Sequence, residues 1–171
     1  MSTLDRYFRY PVLWDYVFAS IASAISYYLV LKHMLTLPTA ERIYSTVSDL
    51  ANTSLTLAGF VLTLLTVLIS FKSSSKMINE DIKSTDTLFD VFFSSALYFR
   101  TVFHLKNAIK SLTLISLVGY ILKLLMTDSL RQYLFFFSFF AVTIILFTLW
   151  RCIVILNQIV KLQQNNRHTD S

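Results

Sequence analysis

Apolar residues fall into long blocks separated by short polar stretches, and each block reads as a helix. The first helix is expected over 11–37. Its uncharged heart, Tyr16 to Leu31, lies between Asp15 and the Lys32–His33 pair. Trp14 and Tyr16 at one end, and Tyr27 and Tyr28 towards the other, suit the aromatic belts of a membrane span. A signal peptide is the rival reading, because Ala22-Ser23-Ala24 mimics a cleavage site. Asp15 interrupts its apolar region, however, and the run continues past the small residues. An anchored helix is preferred.

Thr39 after Pro38 is a good N-cap, with Glu41 favourably placed in the first turn of a second helix. Its membrane part is assigned to 48–71. Leu50 to Phe71 is 22 residues without a charge, enough to cross a hydrocarbon core of about 30 Å. A polar stretch follows, with Ser73-Ser74-Ser75, Glu80, Asp81 and Asp86. Leu88, Phe89, Phe92, Phe93, Ala96, Phe99 and Phe103 then recur at spacings of mostly three and four. That periodicity predicts an amphipathic helix, with Asp90, Ser94, Thr101 and His104 towards its polar side. The whole segment 72–107 is read as a cytoplasmic extension, either lying on the membrane surface or lengthening the next helix.

The third span, over 108–127, is the least regular. Only Ser111 to Leu122 is uncharged, 12 residues between Lys110 and Lys123. Both lysines are expected to snorkel to opposite interfaces. Thr127-Asp128-Ser129 supplies turn and capping residues. The fourth span, over 132–156, contains 18 uncharged residues from Tyr133 to Trp150. The tail, 163–171, is polar and expected to be disordered.

Four spans leave both termini on one side. The terminal and middle segments hold 11 of the 15 Lys and Arg residues, and the opposite side holds four. The positive-inside rule then places both termini in the cytoplasm. Each short external loop implies a hairpin, one joining helices one and two and the other joining three and four.

Composition narrows the reading further. Hydrophobic residues make up 55% of the chain and charged residues only 15%, too few to solvate a globular surface. Two Gly and two Pro disfavour a turn-rich β-architecture. The expected fold is therefore all-α, an integral membrane four-helix bundle surrounded by lipid. The net charge of +5 comes from basic residues flanking apolar runs, so a nucleic-acid partner is not expected. Cys152 is the single cysteine and reads as a buried hydrophobe.

The candidate chemistry is sparse. Thr56, Gly59, Thr63, Thr66 and Ser70 follow at spacings of three, four, three and four, which puts them on one face of a helix. Thr113, Ser116, Tyr120, Lys123 and Thr127 repeat the device on helix three, beside Gly119. Tight helix packing is the leading explanation for the first stripe. The sharper one is a pore lining shared by several copies. Asp15, Lys110 and Arg151 lie at a common cytoplasmic depth, where Asp15 is expected to pair with Arg151 or Lys110 unless the bases snorkel to headgroups. Arg100, Lys106 and Lys110 suit attraction to anionic lipid, and Arg100 and His104 are assigned to a solvated surface. Phe89, Phe92, Phe93 and Phe99 are candidate contacts for a cytoplasmic partner or for lipid.

Enzyme signatures are missing from the sequence. His33, His104 and His168 are scattered, so no metal or cofactor is assigned, and no Gly-rich phosphate loop or nucleophile elbow occurs. The chain is read as a non-enzyme. Small multidrug transporters carry an acidic residue in their first helix, but Asp15 lies at the end of this one and their glycine-rich helices are lacking.

The stretch SLTLAGFVLTLLTVLISF, Ser54 to Phe71, resembles the hydroxyl-punctuated helix of small prokaryotic four-helix membrane proteins, some of which accompany antiphage systems. The resemblance implies a membrane effector or accessory subunit that oligomerises and alters permeability. A self-associating, pore-forming or membrane-perturbing protein is thus the first expectation. A non-conducting subunit anchoring a cytoplasmic partner is the second, and a small transporter coupled through Asp15 the third.

Overall fold

The computed structural model describes residues 11–81 and 96–167. Four long helices carry it: α1 Pro11–Leu31, α2 Ala40–Asp81, α3 Ala96–Leu125 and α4 Leu134–Arg167, with a 3-10 turn at Asp128–Tyr133 before α4. Four stretches are long and apolar enough to cross a membrane: Val12–Leu31 in α1, Ala40–Ser70 in α2, Tyr98–Leu125 in α3, and Leu130–Ile155, which starts in the 3-10 turn and continues into α4. The helices run antiparallel in sequence order. One end of the bundle, the Asp15 end, gathers the starts of α1 and α3 with the later parts of α2 and α4.

Local chemistry fixes most boundaries. α1 stops at Leu31, short of the expected 37, because the chain turns left-handed at His33 (φ 56°). The His33 N–H bonds to the Val30 carbonyl at 3.0 Å and the Met34 N–H reaches back to Leu29 at 3.0 Å, closing the last turn. α2 begins at Ala40, with the Thr39 carbonyl accepting from Ile43 and Glu41 in the first turn. It continues past the expected end at 71 to Asp81, 42 residues in all. Thr127 stands in extended backbone at the start of the 3-10 turn but makes no side-chain cap bond.

Two further points bear on the expectations. Of the two alternatives for the amphipathic segment, the described part fits the lengthening of the next helix: 72–81 continues α2 and 96–107 is the beginning of α3. α4 likewise runs through Gln163 to Arg167, where a disordered tail was expected. Lys161-Leu162-Gln163-Gln164 are good helix formers with no breaker among them.

Packing departs from the expected hairpins. α2 packs most extensively on α3, while α1 rests chiefly on α4. Aromatic fit explains the second choice. Tyr16 meets Phe140 edge-on at 5.8 Å, Phe18 stacks on Phe147 at 5.4 Å, and Tyr27 meets Phe136 edge-on at 5.3 Å. Ser23 Oγ adds a bond to the Phe136 carbonyl at 3.2 Å.

The core is a column of apolar layers. Ile43, Val47 and Leu134 close the far end; Ala19, Ile115, Ala141 and Ile144 fill the middle. Ala58, Leu112 and Ile145, then Val61, Leu105 and Ala108, continue towards the Asp15 end. Gly119 permits a close approach, because a Cβ there would lie 3.3 Å from Ala51 Cβ and 3.5 Å from Phe137 Cε1.

Candidate functional site

The core face of α4 reads Leu134, Ser138, Ala141, Ile144, Thr148, Arg151 and Ile155, all buried. This helical periodicity carries Arg151 into the bundle. Asp15, in the second turn of α1, faces it, and Arg151 Nη1 donates to Asp15 Oδ2 at 2.8 Å. Arg151 is 0% exposed and Asp15 2%. Lys110, the alternative partner, is exposed and takes no part.

Other polar side chains are buried on the neighbouring helix turns. Thr101, His104 and Ser111 on α3 and Thr148 on α4 are buried at this end of the bundle. His104 is close enough to Arg151 and Arg100 to feel both charges. Arg151 Nε and Nη2, together with Thr148 Oγ1 and Ser54 Oγ, are buried without a hydrogen-bond partner among the described residues. A guanidinium has five N–H donors, so the contact with Asp15 leaves donor capacity directed at the interior.

Sequence reasoning assigned Arg100 and His104 to a solvated surface. Arg100 is exposed, but His104 is buried. The amphipathic pattern of early α3 is turned inside out, with Thr101 and His104 inward and Phe99 and Phe103 outward at 61% and 54% exposure. Phe89, Phe92 and Phe93 lie outside the described residues. Phe99 meets Tyr98 edge-on at 5.5 Å.

The α2 stripe lies on an exposed side of its helix among the described residues. Thr56, Gly59, Thr63, Thr66 and Ser70 are all exposed, and a Cβ on Gly59 would meet nothing within 4 Å. Tight helix packing was the leading expectation for the stripe; among the described residues of one copy it stands exposed. Three hydroxyls turn back on their own helix: Thr56 donates to Asn52 O at 2.9 Å, Thr63 to Gly59 O at 3.0 Å and Thr66 to Leu62 O at 2.9 Å. Self-satisfied in this way, they could face an apolar solvent at little cost. The helix-three series divides. Ser116 and Gly119 are buried, Thr113, Tyr120 and Thr127 are exposed, and Tyr120 Oη bonds to Asn52 Oδ1 across the α2–α3 seam.

Helix direction sorts the lysines. Side chains lean towards the N-terminus of their helix, which tips Lys72 on α2 and Lys123 on α3 back into the bundle's apolar length. Both find aromatic cover. Lys72 Nζ lies 4.1 Å from the Tyr98 ring centre and 4.4 Å from that of Phe99. Lys123 Nζ donates to Ser48 Oγ at 3.0 Å and sits 4.3 Å over Tyr44. Lys106 and Lys110 lean outward, towards the Asp15 end, and are exposed.

Cys152 is a free, half-buried thiol. Among the described residues no three His, Cys, Asp or Glu side chains come together as metal ligands. No family model, curated protein or solved structure matches the chain.

Proposed function

We propose that this chain is a small self-associating protein of the cytoplasmic membrane, with both termini in the cytoplasm, that alters membrane permeability when copies assemble. The observation carrying this reading is the outward stripe of α2. Thr56, Gly59, Thr63, Thr66 and Ser70 form a narrow face of small residues that is exposed among the described residues, with open space around Gly59. In lipid, such a face gains from close backbone approach to another helix, because no apolar driving force favours bulky contacts there. A water path, on this reading, forms between copies rather than through the apolar layers of one bundle. Its hydroxyls then exchange their helix carbonyls for water or a neighbouring chain. The assembled protein binds and perturbs; it performs no covalent chemistry.

Cysteines at positions 59 and 63 in a Cys152→Ser background test the assembly. Oxidative cross-linking in native membranes should join copies through either position, and liposomes holding the purified oligomer should leak ions. Cross-linking no faster than at Leu124, on the outer face of α3, removes the reading. A verified oligomer without conductance removes its permeability half.

A second reading, an anchor for a cytoplasmic partner, draws on the exposure of Phe99. Affinity purification beside a Phe92→Ser, Phe99→Ser variant separates it: loss of one specific protein from the variant alone supports the anchor.

A further inference from the structure

We infer that the outer face of α3 carrying Phe99, Phe103, Lys106 and Lys110 binds the headgroup of an anionic phospholipid in the leaflet at the Asp15 end. The four residues follow at spacings of four, three and four, so they form one stripe. All four are exposed. The stripe continues through Leu114, Leu117, Ile121 and Leu124, exposed by 47%, 56%, 44% and 85%. Read along the helix it is aromatic, then basic, then aliphatic, as a protein surface facing a leaflet from headgroup to acyl chain should be.

Depth agrees with this order. A core of about 30 Å takes about 20 residues of helix, and counted back from Leu125 that length ends at Lys106. Lys110 lies about 6 Å deeper at 1.5 Å per residue, and its lean towards the N-terminus of α3 returns the ammonium to the phosphate plane. Phe103 stands at headgroup level.

Charge supplies the selectivity. α3 contains Arg100, Lys106, Lys110 and Lys123 and not one carboxylate over Ala96–Leu125. Of the described carboxylates at this end, Asp15 is engaged by Arg151 in the interior, while Glu80 and Asp81 close α2, about 12 Å or more further along that helix than Lys72. Lys106, Lys110 and Arg100 form no ion pair among the described residues. Lys72, held over Tyr98 and Phe99, adds a further cation beside the aromatic end of the stripe. A zwitterionic headgroup leaves this excess uncompensated. A phosphate with net negative charge, reached by two lysines one helical turn apart, neutralises it.

The test uses the full chain in detergent, with native mass spectrometry in the presence of phosphatidylglycerol or phosphatidylcholine. Phosphatidylglycerol should remain bound where phosphatidylcholine is stripped. Lys106→Gln with Lys110→Gln should weaken the retained lipid about 30-fold, about fivefold for each lysine. Lys32→Gln with Arg42→Gln removes equal charge from the opposite end and should leave binding unchanged. Should the double variant fail to fold, the single Lys106→Gln and Lys110→Gln variants are read instead. Equal retention of the two lipids, undiminished binding in the lysine variants, or equal loss in the opposite-end control overturns the inference.

Discussion

Arg151 Nη1 and Asp15 Oδ2 meet at 2.8 Å although 136 residues separate them, and the contact ties the last membrane-crossing helix to the first. Both side chains are buried, in a bundle of four helices long and apolar enough to cross a membrane. Breaking such a pair from one side strands a charge, which typically costs about 3–5 kcal/mol, whereas replacing both partners by apolar groups costs little. Arg151→Met alone should therefore destabilise the bundle by about 3–5 kcal/mol. Asp15→Leu with Arg151→Met should recover most of that loss. Unfolding in mixed detergent micelles measures both; a double variant as weak as the single would show that the pair is not the unit.

The two glycines of the bundle should respond oppositely. At Gly119 a methyl group meets Ala51 Cβ at 3.3 Å and Phe137 Cε1 at 3.5 Å, and overpacking of this kind costs about 1–3 kcal/mol. Gly119→Ala should lower stability by an amount near the bottom of that range. At Gly59 the space is open, so Gly59→Ala should leave the monomer as stable or gain up to about 1 kcal/mol from helix propensity. Gly59→Leu should keep the fold and disrupt assembly. Paired unfolding and cross-linking experiments separate these effects.

His33 holds φ at 56°, a conformation glycine adopts freely and other residues adopt at a cost of about 1–2 kcal/mol. His33→Gly should raise stability by up to about 1 kcal/mol, part of the relief being offset by entropy in the unfolded chain. His33→Val should lower it, since a β-branched residue is least tolerated there. Thermal denaturation in detergent decides.

The inverted start of α3 makes a spectroscopic prediction. With Trp14 and Trp150 replaced by Phe, a Phe103→Trp reporter at headgroup level should be quenched more by lipid brominated high on the acyl chain than by lipid brominated near its end, and only partly by aqueous iodide. Strong iodide quenching with no effect of bromine would place water, not lipid, against that face.

Much of this architecture was legible because its signals are compositional. The uncharged run from Leu50 to Phe71 and the Phe-rich run from Tyr133 needed only length and hydropathy to be read as spans. α3 was harder, since Lys110 breaks its apolar run and only an outward-leaning side chain reconciles that lysine with a membrane. Thr101 and His104 were misplaced for a deeper reason. Periodicity finds a polar face but does not say whether water or the bundle interior receives it, and the answer reverses when the solvent is lipid. Asp15, Lys110 and Arg151 share a depth in the sequence reading, so hydropathy could not choose between the bases. The choice lies in the α4 repeat Ser138, Ala141, Ile144, Thr148, Arg151, a signal that was present but unused. The pairing of α1 with α4 depends on aromatic fit across distant segments, which no local pattern contains.

α2 runs 42 residues from Ala40 to Asp81 as one helix, about 63 Å at 1.5 Å per residue, or roughly twice the hydrocarbon thickness. With the apolar run Leu50–Phe71 held in a bilayer, the stretch from Lys72 to Asp81 would carry the helix about 15 Å beyond it. A tilt of the held part would then reach that overhang without loss, as it does in any rigid rod.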